Sequence, residues 1–98
     1  MLTERQQTVF EQCRESTHNN EHLSNREEIL VGLAAAIALD CDHCVRYYVF
    51  KAKKAGIDKS TVSEILAKVM VVSANKKRLR ADEVLSHCFG KTLTEDIA

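Results

Sequence analysis

Apolar residues recur at helical intervals along most of the chain. Val9, Phe10 and Cys13 form a sparse stripe behind Thr3-Glu4-Arg5-Gln6, which has capping-box spacing, and a first helix is expected from about Glu4 to Thr17. The polar stretch His18-Asn19-Asn20-Glu21-His22 reads as a loop. Ser24-Asn25-Arg26-Glu27 is a second capping box, directly ahead of the unbroken apolar run Ile29 to Leu39. A helix apolar on all sides belongs at the centre of a fold, and Gly32, Ala34, Ala35, Ala36 and Ala38 would let its neighbours approach closely. Asp40 is placed to end that helix and cap the next, which runs from about Cys41 to Ala55 and stops at Gly56. Asp58 or Thr61 caps a fourth helix carrying Val62, Ile65, Leu66, Val69 and Met70. The basic run Lys76-Lys77-Arg78-Leu79-Arg80 marks an end or turn, and a fifth helix follows from Ala81 to a stop at Gly90.

Composition agrees with this pattern. The 98 residues include no Pro and only three Gly, too little turn punctuation for an all-β sandwich or barrel. The expected fold is all-α, a small helical domain of about five helices. One domain over 1–98 is expected: an N-terminal helix and loop over 1–24, a core over 25–90 and a loosely held tail over 91–98. A chain this short buries roughly 60–65% of its unfolded surface. With three Phe, two Tyr and no Trp its core is light, which points to a homo-oligomer.

Charge adds exclusions. Fourteen Lys and Arg balance fourteen Asp and Glu, so nothing favours nucleic acid or an anionic membrane as partner. The longest apolar run falls well short of the about 20 residues needed to span a bilayer. The polar start lacks the apolar stretch of a signal peptide, and a cytoplasmic location is expected. In that reducing setting four Cys point to catalysis, redox sensing or metal binding before a structural disulfide framework.

The chemistry concentrates in Cys41-Asp42-His43-Cys44. Two cysteines three apart on a first helical turn share a face and can close a small disulfide ring. Free amides and the helix dipole lower a thiol pKa at that position, which favours Cys41 as nucleophile. A protonated His43 would act the same way, whereas Asp40 and Asp42 oppose it. Half of a zinc site is the usual alternative, but no second CxxC and no HxxxH accompanies the pair. Cys13 and Cys88 read as small buried hydrophobes, and His18, His22 and His87 carry no ligand spacing. The lysines and arginines at 51, 53, 54, 76, 77, 78 and 80 read as a solvated face.

The alanine-rich helix from Arg26 running into CxxC and Val45-Arg46-Tyr47-Tyr48, then Ala52-Lys53-Lys54-Ala55-Gly56-Ile57-Asp58 and Ser63-Glu64-Ile65-Leu66, resembles a known family. It is similar to the core of alkylhydroperoxidase-D-like proteins in the carboxymuconolactone decarboxylase family, over roughly Arg26 to Val72. The resemblance implies a helical domain assembling into trimers or hexamers. It also implies thiol-dependent peroxide reduction, or dithiol–disulfide exchange with a lipoyl- or thioredoxin-type reductant. In that scheme Cys44 attacks and Cys41 resolves, the reverse of the assignment from the helix end. The family's relay His, four residues after the second Cys, falls on Tyr48, a phenol and a poor base at neutral pH. Its relay Glu, twelve residues before the first Cys, falls on Ile29, with Glu28 one position away.

His43 is the base available inside the motif. The candidate site is therefore Cys41, Cys44, His43, Tyr48 and Glu28, with no cofactor and no metal expected. A lactone decarboxylase and a redox-sensing module without enzymatic activity are the alternatives.

Overall fold

In a computed structural model, residues 1–90 are described as four helices: α1 (Glu4–His18), α2 (Asn25–Ala38), α3 (Asp42–Lys54) and α4 (Lys59–Phe89). The tail expected over 91–98 lies outside the described residues. Both predicted capping boxes form. Thr3 Oγ1 accepts from the Gln6 amide and Ser24 Oγ from the Glu27 amide, while each Gln6 or Glu27 side chain accepts from the cap residue's own N–H. Those bonds, backbone first, hold the Glu27 carboxyl below its ordinary range. Asp58 caps α4 by accepting from the Thr61 amide at 2.8 Å, which leaves Thr61 inside the helix.

Both helix ends inside the core use one device. At the end of α3 the Gly56 amide donates to Lys53 O and the Ile57 amide to Ala52 O, with Gly56 at φ +73°. This is a Schellman closure, completed by the contact it normally carries, since Ile57 and Ala52 are both buried in one cluster. At the end of α2 the Asp40 amide donates to Ile37 O and the Cys41 amide to Ala36 O. Here the left-handed residue is Asp40, at φ +54°. Aspartate is among the few side chains that tolerate this region. The expectation that Asp40 caps α3 is thus corrected: its backbone closes α2, and Cys41 is the N-cap of α3.

A second correction concerns the basic run. Lys76 to Arg80 does not end a helix; the expected fourth and fifth helices are one, 31 residues long. No Gly or Pro interrupts it, Lys, Arg, Leu and Ala are strong helix formers, and Arg78 faces Asp82 one turn on. At 1.5 Å per residue α4 is about 46 Å long. None of the described helices is long and apolar enough to cross a membrane.

The central role expected of the alanine-rich helix is realised. α2 packs against both α3 and α4, and it contributes Ile29, Leu33 and Ala36 to a buried set completed by Ala52 and Ile57. The second half of α4 projects away from this core and leaves Leu79, Val84, Leu85 and Phe89 exposed. The radius of gyration is 20.1 Å, against about 13 Å for a compact domain of this length. Cys13 on α1 and Cys88 on α4 are exposed, not buried as their apolar surroundings suggested, because neither segment packs into the core. The Asp40 geometry is testable. Asp40→Val, a β-branched residue forced into left-handed backbone, is expected to lower stability by about 1–2 kcal/mol in urea denaturation, and Asp40→Gly to be nearly neutral.

Candidate redox site

Cys41 occupies two structural roles at once. Its amide closes α2, and its Sγ accepts from the Cys44 amide at 3.3 Å as the cap of α3. One helical turn separates the two cysteines, their Cα atoms are 5.2 Å apart, and the sulfurs are joined in a disulfide. Both are half-buried, with the exposed Asp42 and His43 between them. Asp42 is engaged by Arg46 at 3.1 Å, one helical turn on.

Cys44, and not Cys41, lines a cavity of about 320 Å³ between α1 and α3. His43, Tyr47 and Tyr48 complete the α3 wall, while Phe10, Arg14 and His18 stand on the α1 side. The two sulfurs therefore have different surroundings. Cys41 sits at the helix end, where a thiolate is stabilised by the amide and the dipole. Cys44 faces the space that a substrate can enter.

The rest of the site explains the departures seen in the sequence. Ile29, at the family's relay-Glu position, is buried in the core against Ala52 and Ile57, where a carboxylate would lose its water without a partner. Glu28, one residue earlier and about 100° round the helix, points toward α1 and pairs with His18 Nδ1 at 3.0 Å. The ring of Tyr48 lies over Gly32, where a Cβ would overlap it, so the glycine makes room for the aromatic. Burial raises the Tyr48 phenol above the ordinary tyrosine range, helped by the Glu28 carboxylate and Tyr47 and opposed by Arg14. Tyr48 is therefore a neutral hydrogen-bond donor near pH 7 and does not replace the relay histidine as a base.

His18 was missed in the sequence. It lies far from CxxC, in a stretch read as a loop, and it forms the last residue of α1 instead. Its ring packs beside Tyr47, 5.9 Å between centroids, and Tyr47 in turn meets Tyr48 edge-on. Arg14 and Lys51 lie over Tyr47 at 5.7 and 5.8 Å, a favourable placement of cations on an aromatic face. The available signal was only the separation of ten residues between His18 and Glu28, one loop and one helix start apart.

A larger cleft of about 710 Å³ lies elsewhere, between the end of α2 and α4, with Lys76, Lys77 and Arg80 on its wall. No cysteine or histidine is among its lining residues. Among the described residues, no three His, Cys, Asp or Glu side chains are placed to hold a metal ion.

Comparison with known proteins bears on the family and the fold. The sequence profile of the carboxymuconolactone decarboxylase family matches residues 6–86. No curated protein matches the chain. A crystal structure of a protein from Methanobacterium thermoautotrophicum is similar, with a TM-score of 0.78 at 27% identity over 86% of this chain and 95% of that one.

The environment of Tyr48 sets an alkaline signature. Because the folded-state pKa is raised, the associated stability is present below the ordinary tyrosine range and lost as pH rises through the folded value. In an ultraviolet titration, Tyr48→Phe is expected to remove a phenolate transition lying above that range.

Proposed function

Since the chain belongs to the carboxymuconolactone decarboxylase family, we propose that it is a thiol-dependent oxidoreductase of the alkylhydroperoxidase-D-like type, cycling Cys41 and Cys44 between dithiol and disulfide. One observation carries this reading: a disulfide-bonded CxxC pair presents Cys44 to a cavity while Cys41 caps the helix behind it.

In the oxidative half-reaction the Cys44 thiolate attacks the distal oxygen of a hydroperoxide. An S–O bond forms, the O–O bond breaks, and the departing alkoxide takes a proton to leave as alcohol, with Cys44 as sulfenic acid. Cys41 then attacks Cys44 Sγ; the S–S bond forms, the S–O bond breaks and water leaves. Two thiols and one hydroperoxide thus yield one disulfide, one alcohol and one water. In the reductive half-reaction an external dithiol of the lipoyl or thioredoxin type attacks Cys44 from the cavity. Cys41 leaves as a thiolate stabilised by the Cys44 amide and the helix end, and a lower-pKa thiol leaves faster. The reductant's second thiol then attacks the mixed disulfide and releases Cys44, so two electrons and two protons pass from the dithiol to the pair. A reducing cytoplasm suits this cycle.

The same reading makes the protein a homo-oligomer, a trimer or hexamer by resemblance. Exposed Leu79, Val84, Leu85 and Phe89 on the projecting half of α4 support it.

The redox reading is tested with Cys41→Ser and Cys44→Ser, each expected to reduce turnover of hydroperoxide and of a small disulfide to background. The pair's reduction potential is expected above about −300 mV, the range below which structural disulfides fall. Unchanged turnover in both variants would remove the thiols from the chemistry, and turnover of a carboxylated lactone by the double variant would assign decarboxylation instead. For assembly, sedimentation is expected to give three or six times the 11.0 kDa chain mass, and Leu85→Glu to lower it.

A further inference from the structure

We infer that His18 is the proton-transfer group for Cys44, held in place by Glu28, so that a histidine from α1 performs the task for which the CxxC helix carries no suitable base. The inference rests on the dithiol reading of the pair and identifies how its proton moves. His18 and Cys44 line the same cavity, from α1 and α3 respectively. Glu28 accepts from or shares the proton of His18 Nδ1 at 3.0 Å, with both side chains largely withdrawn from solvent, at 24% and 12% exposure. A carboxylate fixed on one ring nitrogen orients the imidazole and sets its tautomer. The other nitrogen is left for the cavity.

Titratable and charged groups face His18 from three helices. From α2 the facing group is Glu28; from α3 they are His43, Tyr47, Tyr48 and, over the Tyr47 ring, Lys51; from α1 itself they are Glu11 and Arg14. Glu11 and Arg14 are paired with each other. Tyr48 stays protonated near neutral pH. His43 is exposed and, among the described residues, no carboxylate is bonded to its ring, whereas His18 has both partner and enclosure.

The step balances as a proton relay. His18 takes the proton from the Cys44 thiol, directly or through one water, leaving thiolate and imidazolium. When the O–O bond of the hydroperoxide breaks, the imidazolium returns that proton to the alkoxide. His18 is neutral again at the end, and Glu28 remains a carboxylate throughout.

The test uses the reduced full-length protein and iodoacetamide, with alkylation followed at Cys44 by peptide-resolved mass spectrometry across pH. His18→Gln is expected to slow Cys44 alkylation near pH 7 by about tenfold or more and to move the rising limb of the profile to higher pH, as loss of a general base does. Glu28→Gln is expected to give a smaller loss in the same direction, and His22→Gln to match the wild type. Added imidazole is expected to restore the rate in His18→Ala, which a purely structural role for the ring would not allow. A wild-type profile in His18→Gln, or a limb that moves with His43→Gln and not with His18→Gln, would overturn the inference. Alkylation is independent of turnover. A protein that consumes no hydroperoxide and exchanges no disulfide, yet shows the His18-dependent limb, supports the relay while removing the redox function.

Discussion

The site depends on one junction, the left-handed turn at Asp40 that joins α2 to α3. The Cys41 amide is spent closing α2 onto Ala36, and the Cys41 sulfur caps α3. A cysteine serving both helices has little freedom of its own, so Cys44, one turn along, inherits a fixed position relative to the core helix. The turn also orders the chemistry. The sulfur at the helix end accepts from the Cys44 amide, and the sulfur one turn in faces the cavity.

The core that supports this junction is small. Among the described residues only Ile29 and Leu33 are large side chains almost wholly removed from solvent, worth about 1.5–3 kcal/mol each by transfer arithmetic. α1 contributes no buried residue. It is tied to α2 by the His18–Glu28 bond and to α3 by aromatic and cation–aromatic contacts around Tyr47. Elements with little buried apolar surface belong to the low-stability end of a protein. The wall of the cavity opposite Cys44 is therefore the least anchored helix of the fold, and the group that fixes it is also the one suited to handle a proton.

Much of the fold was legible because local signals agreed with tertiary ones. Thr3/Gln6 and Ser24/Glu27 announced their helix starts, Gly56 its helix stop, and the alanine-rich run its central place. Two features resisted for definite reasons. The run from Lys76 to Arg80 looks like a boundary by charge, yet these residues are good helix formers and nothing in the backbone chemistry requires a stop. Asp40 was read by its capping propensity, whereas its tolerance of left-handed backbone decided its role. In the site, CxxC was visible at once because its spacing is its chemistry. His18 was not, since a contact across a loop leaves no periodic trace.

The displacement of the acid is the most informative case. A helix presents successive residues about 100° apart, so a carboxylate at 28 and one at 29 face different neighbours. At 29 the neighbours are Ala52 and Ile57, and the position takes an isoleucine because the core needs volume there. At 28 the neighbour is α1, and the carboxylate finds an imidazole. The same one-residue step thus separates a position given to the core from one that reaches α1. Tyr48 packs its ring over Gly32, in space that a Cβ at that position would take. Ile29 and Tyr48 are thus both settled by packing, one filling the core beside Ala52 and Ile57 and the other covering Gly32.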